Sequence, residues 1–467
     1  MWLILLTRGA RLWLVLGAVL IFAWIIAYDL DGLDRKGELA LGVFAACLFL
    51  WTTEALPLMI TSILALVSFP ALGILETKDT FALFGHEVTF FILGVFILAS
   101  PLQRSGLSTR IAVRVLDRFG HTPQRLLTAI LTLAAGMSCI MSCHAVAAMF
   151  FPVIHSIRKG LSLKSNSTYG KALYLTLAWG STIGGTATLL GSGRAPLAVA
   201  ILQENAGTTI SFTDWALLSF PTALVMLIIS RFVLGWMFPT DIDDISGARQ
   251  ELREQVNELG KLSYREWATG ALITTTIMFW MFAGDSLGLA TISLLAVVAA
   301  FVIGCATWSE VEDDVNWGIV LMYGGAIALG LAMLKTGASA WLAERVLEMM
   351  PSQNPIVLLG VVAFIALWMT EALSNAAVVA LIMPPVIGMA QQLGIDPRLV
   401  ALFVAIPCGY AFVMPMGTPG TALAFSGGFL RQRDTLRAGT VLKMCVLVVF
   451  LVFSLTLWPW LGYGIQV

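Results

Sequence analysis

The sequence predicts an all-α polytopic membrane protein that contains two copies of a broken helical unit. Three observations carry this. Of 467 residues, 58% are hydrophobic and only 12% charged, whereas a soluble domain carries about 25% charged residues. Apolar runs near the roughly 20-residue length of a membrane span recur from end to end. The chain also repeats itself. Gly94, Gly106 and Ala112-Val113-Arg114-Val115-Leu116 return 231 positions later (325 − 94) as Gly325, Gly337 and Ala343-Glu344-Arg345-Val346-Leu347. Ser142-Cys143-His144-Ala145-Val146 followed by Pro152 returns as Ser374-Asn375-Ala376-Ala377-Val378 followed by Pro384. Gly191-Ser192-Gly193-Arg194 finds its counterpart in Gly417-Thr418-Pro419-Gly420. Two copies of interrupted hydrophobic segments point to a secondary transporter, with its substrate held where the breaks meet near the bilayer midplane.

The first run, 11–29, follows Arg8 and Arg11. No clear small-residue cleavage site precedes Asp29, so it reads as a retained extra transmembrane helix, residues 1–35, with a cytoplasmic N-terminus. Runs 38–53, 56–75, 125–155, 171–203 and 213–238 fall in a first repeat, 36–239. Runs 265–284, 286–307, 355–387, 398–413 and 437–463 fall in a second, 265–467. Between them the stretch 239–265 is rich in Asp, Glu, Arg and Lys and reads as a polar interfacial linker, 240–264. Segments 82–104 and 315–336 are apolar but punctuated by glycine, and each ends at a Gly-containing polar turn. They are expected to be re-entrant hairpins, whose irregular backbone is tolerated only inside protein.

Runs 125–155 and 355–387 exceed one span, and a polar patch interrupts each: Ser138, Ser142, Cys143 and His144 in one, Thr370, Glu371, Ser374 and Asn375 in the other. Such a patch in hydrocarbon is costly unless the backbone breaks there and lines a cavity. Thr186, Thr188, Gly191, Ser192 and Gly193 break the next run of the first repeat. Pro415, Gly417, Thr418, Pro419 and Gly420 do the same in the second. Half-helix N-termini at such breaks carry partial positive charge suited to anions.

These residues resemble the divalent-anion:sodium symporter family over nearly the whole chain. Trp51-Thr52-Thr53-Glu54-Ala55-Leu56-Pro57 resembles its W-x-T-E-A-I-P opening. Ile210-Ser211-Phe212-Thr213-Asp214-Trp215, Leu259-Gly260-Lys261-Leu262-Ser263-Tyr264-Arg265-Glu266 and Gly427-Gly428-Phe429-Leu430 are similarly family-like. The resemblance implies two inverted-topology repeats with two re-entrant hairpins. It also implies a scaffold plus a transport domain with elevator-type movement, a homodimer, and a multi-pass location in the cell (inner) membrane. The small anionic substrate, a dicarboxylate, citrate or sulfate, would lie between two sodium ions, at a Ser-Asn-Thr triplet and a Thr-Pro-Pro-Asn-like loop in each half.

The sequence departs from that pattern. The first triplet is Ser142-Cys143-His144 and its loop Ser192-Gly193-Arg194-Ala195; the second is Ser374-Asn375-Ala376 with loop Thr418-Pro419-Gly420-Thr421. The substrate-binding set by this correspondence is Ser142, Cys143, His144, Ser192, Gly193, Arg194, Ser374, Asn375, Ala376, Thr418 and Pro419. Two side-chain oxygens of the first sodium site are lost, and a hard cation needs oxygen ligands. Ser374, Asn375 and Gly417 retain a candidate second sodium site. No other cofactor is implied.

Arg194 has two readings: a cation snorkelling to headgroups, or a fixed charge facing the substrate in place of the lost sodium, its planar fork suited to a carboxylate or sulfonate. His144 is either a neutral core histidine or a substrate contact or proton carrier. Cys143 reads as a small packing residue. Glu54 and Glu371 read as braces near the site. A fixed charge favours exchange or proton-linked transport. The alternative is a sodium-coupled dicarboxylate, sulfate or sulfonate symporter that keeps the second sodium site. An enzyme is disfavoured because no nucleophile–base pair, metal motif or aspartyl dyad lies among the breaks. His86-Glu87 does not complete His-Glu-x-x-His, since Phe90 stands where the second histidine is needed. An anion channel fits poorly, because the polar residues cluster at two tips rather than along a lining. A cation antiporter would need acidic tips, and Glu371 is the nearest. A net charge of −1 gives no sign of a nucleic-acid partner. Which anion is carried stays open, with a monocarboxylate, sulfonate or inorganic oxyanion among the candidates.

Overall fold

The computed structural model describes residues 8–28, 30–349 and 354–465, with side chains from residue 11. Asp29 and the side chain of Arg8, which enter the N-terminal reading above, lie outside the described residues. The described chain is all-helical. In order the helices are α1 (Arg8–Ala27), α2 (Arg35–Thr53), α3 (Leu58–Ala71), α4 (Thr77–Ala82), α5 (Glu87–Arg104), α6 (Leu107–Phe119), α7 (Pro123–Ser138), α8 (Cys143–Gly160), α9 (Thr168–Gly184), α10 (Arg194–Ala206) and α11 (Phe212–Met237). There follow α12 (Ser246–Glu258), α13 (Tyr264–Leu287), α14 (Leu289–Val302), α15 (Trp308–Asp314), α16 (Trp317–Lys335), α17 (Ala338–Met349), α18 (Pro355–Met369), α19 (Asn375–Gln392), α20 (Pro397–Ala405), α21 (Pro419–Ser426) and α22 (Gln432–Thr456).

Local chemistry sets these boundaries. Side-chain oxygens cap helix starts: Asp34 accepts from the Gly37 N–H, Thr122 from Arg125, and Ser263 with Glu266 completes a capping box on α13. Among the described residues, seven helical stretches are long and apolar enough to cross a membrane, and five shorter apolar helices accompany them. Two of the short ones, α18 and α20, are short because their runs break at polar patches, as the chain does between α7 and α8, α9 and α10, α18 and α19, and α20 and α21.

The hairpin expectation for 82–104 and 315–336 is overturned. These segments contain the single helices α5 and α16. Their glycines serve close packing instead of turning the chain. A Cβ on Gly94 would stand 2.6 Å from the Ser293 Cβ, and one on Gly325 2.6 Å from the Ser62 Cβ. Small residues let apolar helices approach backbone to backbone. Sequence alone does not distinguish a glycine that bends a chain from one that admits a neighbour.

The hairpin geometry belongs to α7–α8. At the start of α7, the Gln124 Nε2 donates to Thr240 at 3.3 Å. At the end of α8, a Cβ on Gly160 would stand 2.6 Å from the Gly247 carbonyl oxygen. Both ends of this pair therefore lie at the linker end of the molecule, and residues 139–142 form the inward tip. Helix α9 also starts at the linker end, where Asp241 accepts the Tyr169 N–H. The chain then passes through the break into α10 and out to the opposite end. Helix α19 leaves its own break toward that opposite end, where Gln391 donates to the Asn205 carbonyl at 3.3 Å. So α8 and α19 start near the centre and run to opposite ends. On the linker side, Arg110 of α6 binds Glu266 at 2.5 Å and the carbonyls of Leu259, Gly260 and Lys261, tying the linker to α13.

Candidate functional site

The breaks gather four helix N-termini and the C-termini of α9 and α20. Ser142 caps α8 by accepting the Ala145 N–H at 3.3 Å, and Ser374 caps α19 by accepting the Ala377 N–H at 3.2 Å. Thr418 caps α21 by accepting the Thr421 N–H at 3.2 Å, and the two hydroxyls lie 2.9 Å apart. Arg194 opens α10. Such ends present backbone N–H groups and partial positive charge.

The first triplet and loop are joined directly, because the Cys143 N–H donates to the Gly191 carbonyl at 3.0 Å. Cys143 is buried and its Sγ lies 3.4 Å from the His144 Nδ1. His144 itself is exposed, as is Pro419, while Ser142, Gly193, Ser374, Asn375 and Ala376 are half-buried. Ser192 and Thr418 are buried. In the second half the Thr370 hydroxyl donates to the Asn375 Oδ1 at 2.5 Å. The backbone carbonyl of Asn375 lies 3.8 Å from the Cys408 Sγ. The halves meet where Gly420 packs against α8, with a Cβ there 3.5 Å from the Ala147 Cβ. Gly417 is buried over Glu371. Among the described residues no hydrogen bond joins the two triplets to each other.

Arg194 is only 2% exposed, which excludes the snorkelling reading. Its Nε donates to the Ala405 carbonyl at 2.8 Å and its Nη2 to the Gly185 carbonyl at 3.4 Å. Ala405 is the last residue of α20, and Gly185 is the C-cap of α9. The guanidinium therefore sits on the negative ends of two broken helices, one from each half, where orphan carbonyls favour a cation. Among the described residues no carboxylate pairs with it. It lies within Coulombic reach of Cys143, His144 and Cys408. An open cleft of about 450 Å³ approaches the same loop at Leu189 and Pro196.

Of the two glutamates read as braces, Glu371 is one. It is 5% exposed and accepts backbone N–H bonds from Phe412 at 2.9 Å, Val413 at 3.2 Å and Met414 at 2.7 Å. Glu54 is not brought to the site: it is exposed at the α2–α3 corner with φ +50°. Sequence reasoning missed Lys443, fully buried with Nζ 2.7 Å from the Glu371 Oε1. A lysine inside the apolar run 437–463 was the signal for it, since an intramembrane charge is functional by default. Tyr323 of α16, whose hydroxyl donates to the Gly193 carbonyl, was also missed and left no signal in sequence.

Broken helices meeting inside a bundle of apolar helices are the architecture of secondary transporters. The family profile described as sodium:sulfate symporter transmembrane region matches residues 9–463, and the chain belongs to that family. It is similar to the sodium-dependent dicarboxylate transporter SdcS of Staphylococcus saprophyticus, at 27% identity over 98% of this chain and 93% of that protein. The SdcS of Staphylococcus aureus strain MSSA476 is 26% identical over 97% of this chain and 92% of its own. Among solved structures, the Alcanivorax borkumensis YdaH transporter shares the fold with a TM-score of 0.54, covering 97% of this chain and 98% of its own at 12% identity.

Proposed function

We propose that this protein carries dicarboxylate-like anions by alternating access, with Arg194 standing where relatives place a sodium ion. The observation that carries the reading is the buried guanidinium bonded to the helix-end carbonyls of both halves. Those carbonyls are the groups a transporter offers a coupling cation. Arg194 thus supplies positive field from behind the loop, and exposed His144 with the α8, α19 and α21 N-termini faces the anion. The names of the staphylococcal relatives support a dicarboxylate as substrate.

The architecture proposed is two inverted repeats, 36–239 and 265–467, with the helix 1–35 outside them and 240–264 as linker. Support comes from element order: α2 to α11 and α13 to α22 each run through ten helices. Reciprocal packing adds to it, since Gly94 meets Ser293 and Gly325 meets Ser62, and both glycine and serine recur at 231 (325 − 94, 293 − 62). The opposite directions of α8 and α19 fit inversion. An elevator movement of the site-bearing helices within a homodimer completes the proposal.

The test is a thermal-shift measurement with succinate, citrate and sulfate, with and without sodium, because a ligand stabilises by RT ln(1 + [L]/Kd). The expected result is stabilisation by a dicarboxylate in sodium-free buffer. Stabilisation only when sodium is present would instead establish the second reading, a symporter using Ser374, Asn375 and Gly417. That reading is favoured by the retained Thr370–Asn375 oxygen pair.

A further inference from the structure

We propose that the buried Glu371–Lys443 pair is the positioning device for the second substrate loop, so that anion affinity depends on Lys443 although it touches no part of the site. This rests on the reading that the Thr418 loop binds the anion. The Glu371 carboxylate fills a cradle of three consecutive backbone N–H groups, Phe412 to Met414, in the unwound stretch that leads to Thr418. The loop then passes over the same carboxylate: a Cβ on Gly417 would stand 3.1 Å from the Glu371 Oε2. The position of Gly417 and Thr418 is therefore set by where Glu371 is held.

Lys443 holds it. Its ammonium is fully buried in α22, 2.7 Å from Glu371, donates to the Leu367 carbonyl near the end of α18, and stands 4.8 Å from the centre of the Trp368 ring. All these contacts fall on the turn 367–371, so α22 is fastened to the base of the α19 tip. The first half makes the corresponding tie with neutral bonds. Thr188 donates to the Cys139 carbonyl at 2.7 Å, and Ser219 of α11 to the Ala187 carbonyl at 2.8 Å. Among the described residues, only the second loop is held by an ion pair. Removing the ammonium leaves a buried carboxylate uncompensated, beside the place where an anion must bind. The expected result is repulsion of the substrate and release of the loop together.

The experiment uses the full-length protein in proteoliposomes with succinate as probe, and Thr418→Val as the control on the site itself. Lys443→Met is expected to raise the succinate KM at least tenfold and to abolish the succinate-induced thermal shift, with Lys443→Arg keeping both near wild type. The double variant Glu371→Gln/Lys443→Met, which has no buried charge to strand, is expected to recover the thermal midpoint of the ligand-free protein while its KM stays raised at least threefold. A merely structural pair would lower that midpoint and leave KM and the succinate shift unchanged; this result overturns the proposal. So does a wild-type KM in the double variant, which decides the matter if Lys443→Met does not fold. If Thr418→Val leaves KM unchanged, the site reading itself is wrong. If it raises KM while the Lys443 variants do not, only the positioning role fails.

Discussion

A site that keeps its own cation behaves differently when empty. Arg194 is 2% exposed and lacks a carboxylate partner among the described residues, whereas Lys443 and Glu371 cancel. On the proposed reading, in which Arg194 serves the substrate site, the substrate-free site carries about one positive charge. Moving it through the bilayer centre costs about 3 kcal/mol by insertion scales. Each 100 mV of opposing potential contributes up to about 2.3 kcal/mol more. With about 50 mV opposing, the combined penalty of about 4 kcal/mol slows return of the empty carrier roughly a thousandfold, at 1.36 kcal/mol per factor of ten. A bound anion offsets the charge and lifts most of that penalty. Uptake of labelled succinate into proteoliposomes is thus expected to be fast when succinate is inside and about a thousandfold slower when the vesicles are empty. Replacing sodium by choline should change neither rate. Arg194→Met should abolish the exchange while the protein still elutes as a folded species. Vigorous sodium-driven uptake into empty vesicles, at a rate near that of exchange, would refute the reasoning.

Other outcomes test individual residues. His144→Ala is expected to raise the succinate KM about tenfold with little change in the thermal midpoint of the ligand-free protein, because the side chain is exposed; kinetics and thermal melts on one preparation check it. Gly94→Val places side-chain carbon 2.6 Å from Ser293 and should destabilise by about 1–3 kcal/mol, read as a lowered thermal midpoint in detergent. For Asp241, burial raises the carboxyl pKa, but the Tyr169 N–H, the Ser167 hydroxyl and the Thr168 N–H outweigh it and hold the group below the ordinary range. A depressed folded-state pKa stabilises above the unfolded value, and the gain is lost as pH falls through the folded one. Asp241→Asn should therefore lower the thermal midpoint at pH 7, with the difference shrinking below about pH 4, the usual aspartate range.

Much of this architecture was legible because hydrocarbon enforces strict rules. Polar patches at 138–144 and 370–375 had to be breaks, since an unsatisfied backbone in lipid is costly, and the helices stop at Ser138 and Met369. Gly94 and Gly325 misled for a physical reason: a glycine in a helix is equally useful for bending and for contact, and only the partner decides. The partner lies 199 residues away for Gly94 (293 − 94) and 263 for Gly325 (325 − 62), beyond any local pattern. The same holds at the site. The glycine-rich setting of Arg194 marked it but left snorkelling and inward-facing readings open; its burial and its acceptors, the Ala405 and Gly185 carbonyls, emerge only in the structure, because backbone carbonyls have no signature in side-chain identity.

The two halves satisfy the same loops with different chemistry, and the difference has a direction. In the first half the loop is tied by hydroxyls and the charge, Arg194, is left without a counter-ion; in the second the tie is a neutralised pair and the triplet keeps its amide oxygen. A cation reaching the first half would meet a guanidinium already on the helix-end carbonyls. One reaching the second would meet the Thr370 and Asn375 oxygens, to which no guanidinium is bonded. Any sodium dependence that remains should therefore respond to Asn375→Ala and not to Cys143→Ala. Equal sensitivity to both would mean that the asymmetry in charge is not an asymmetry in coupling.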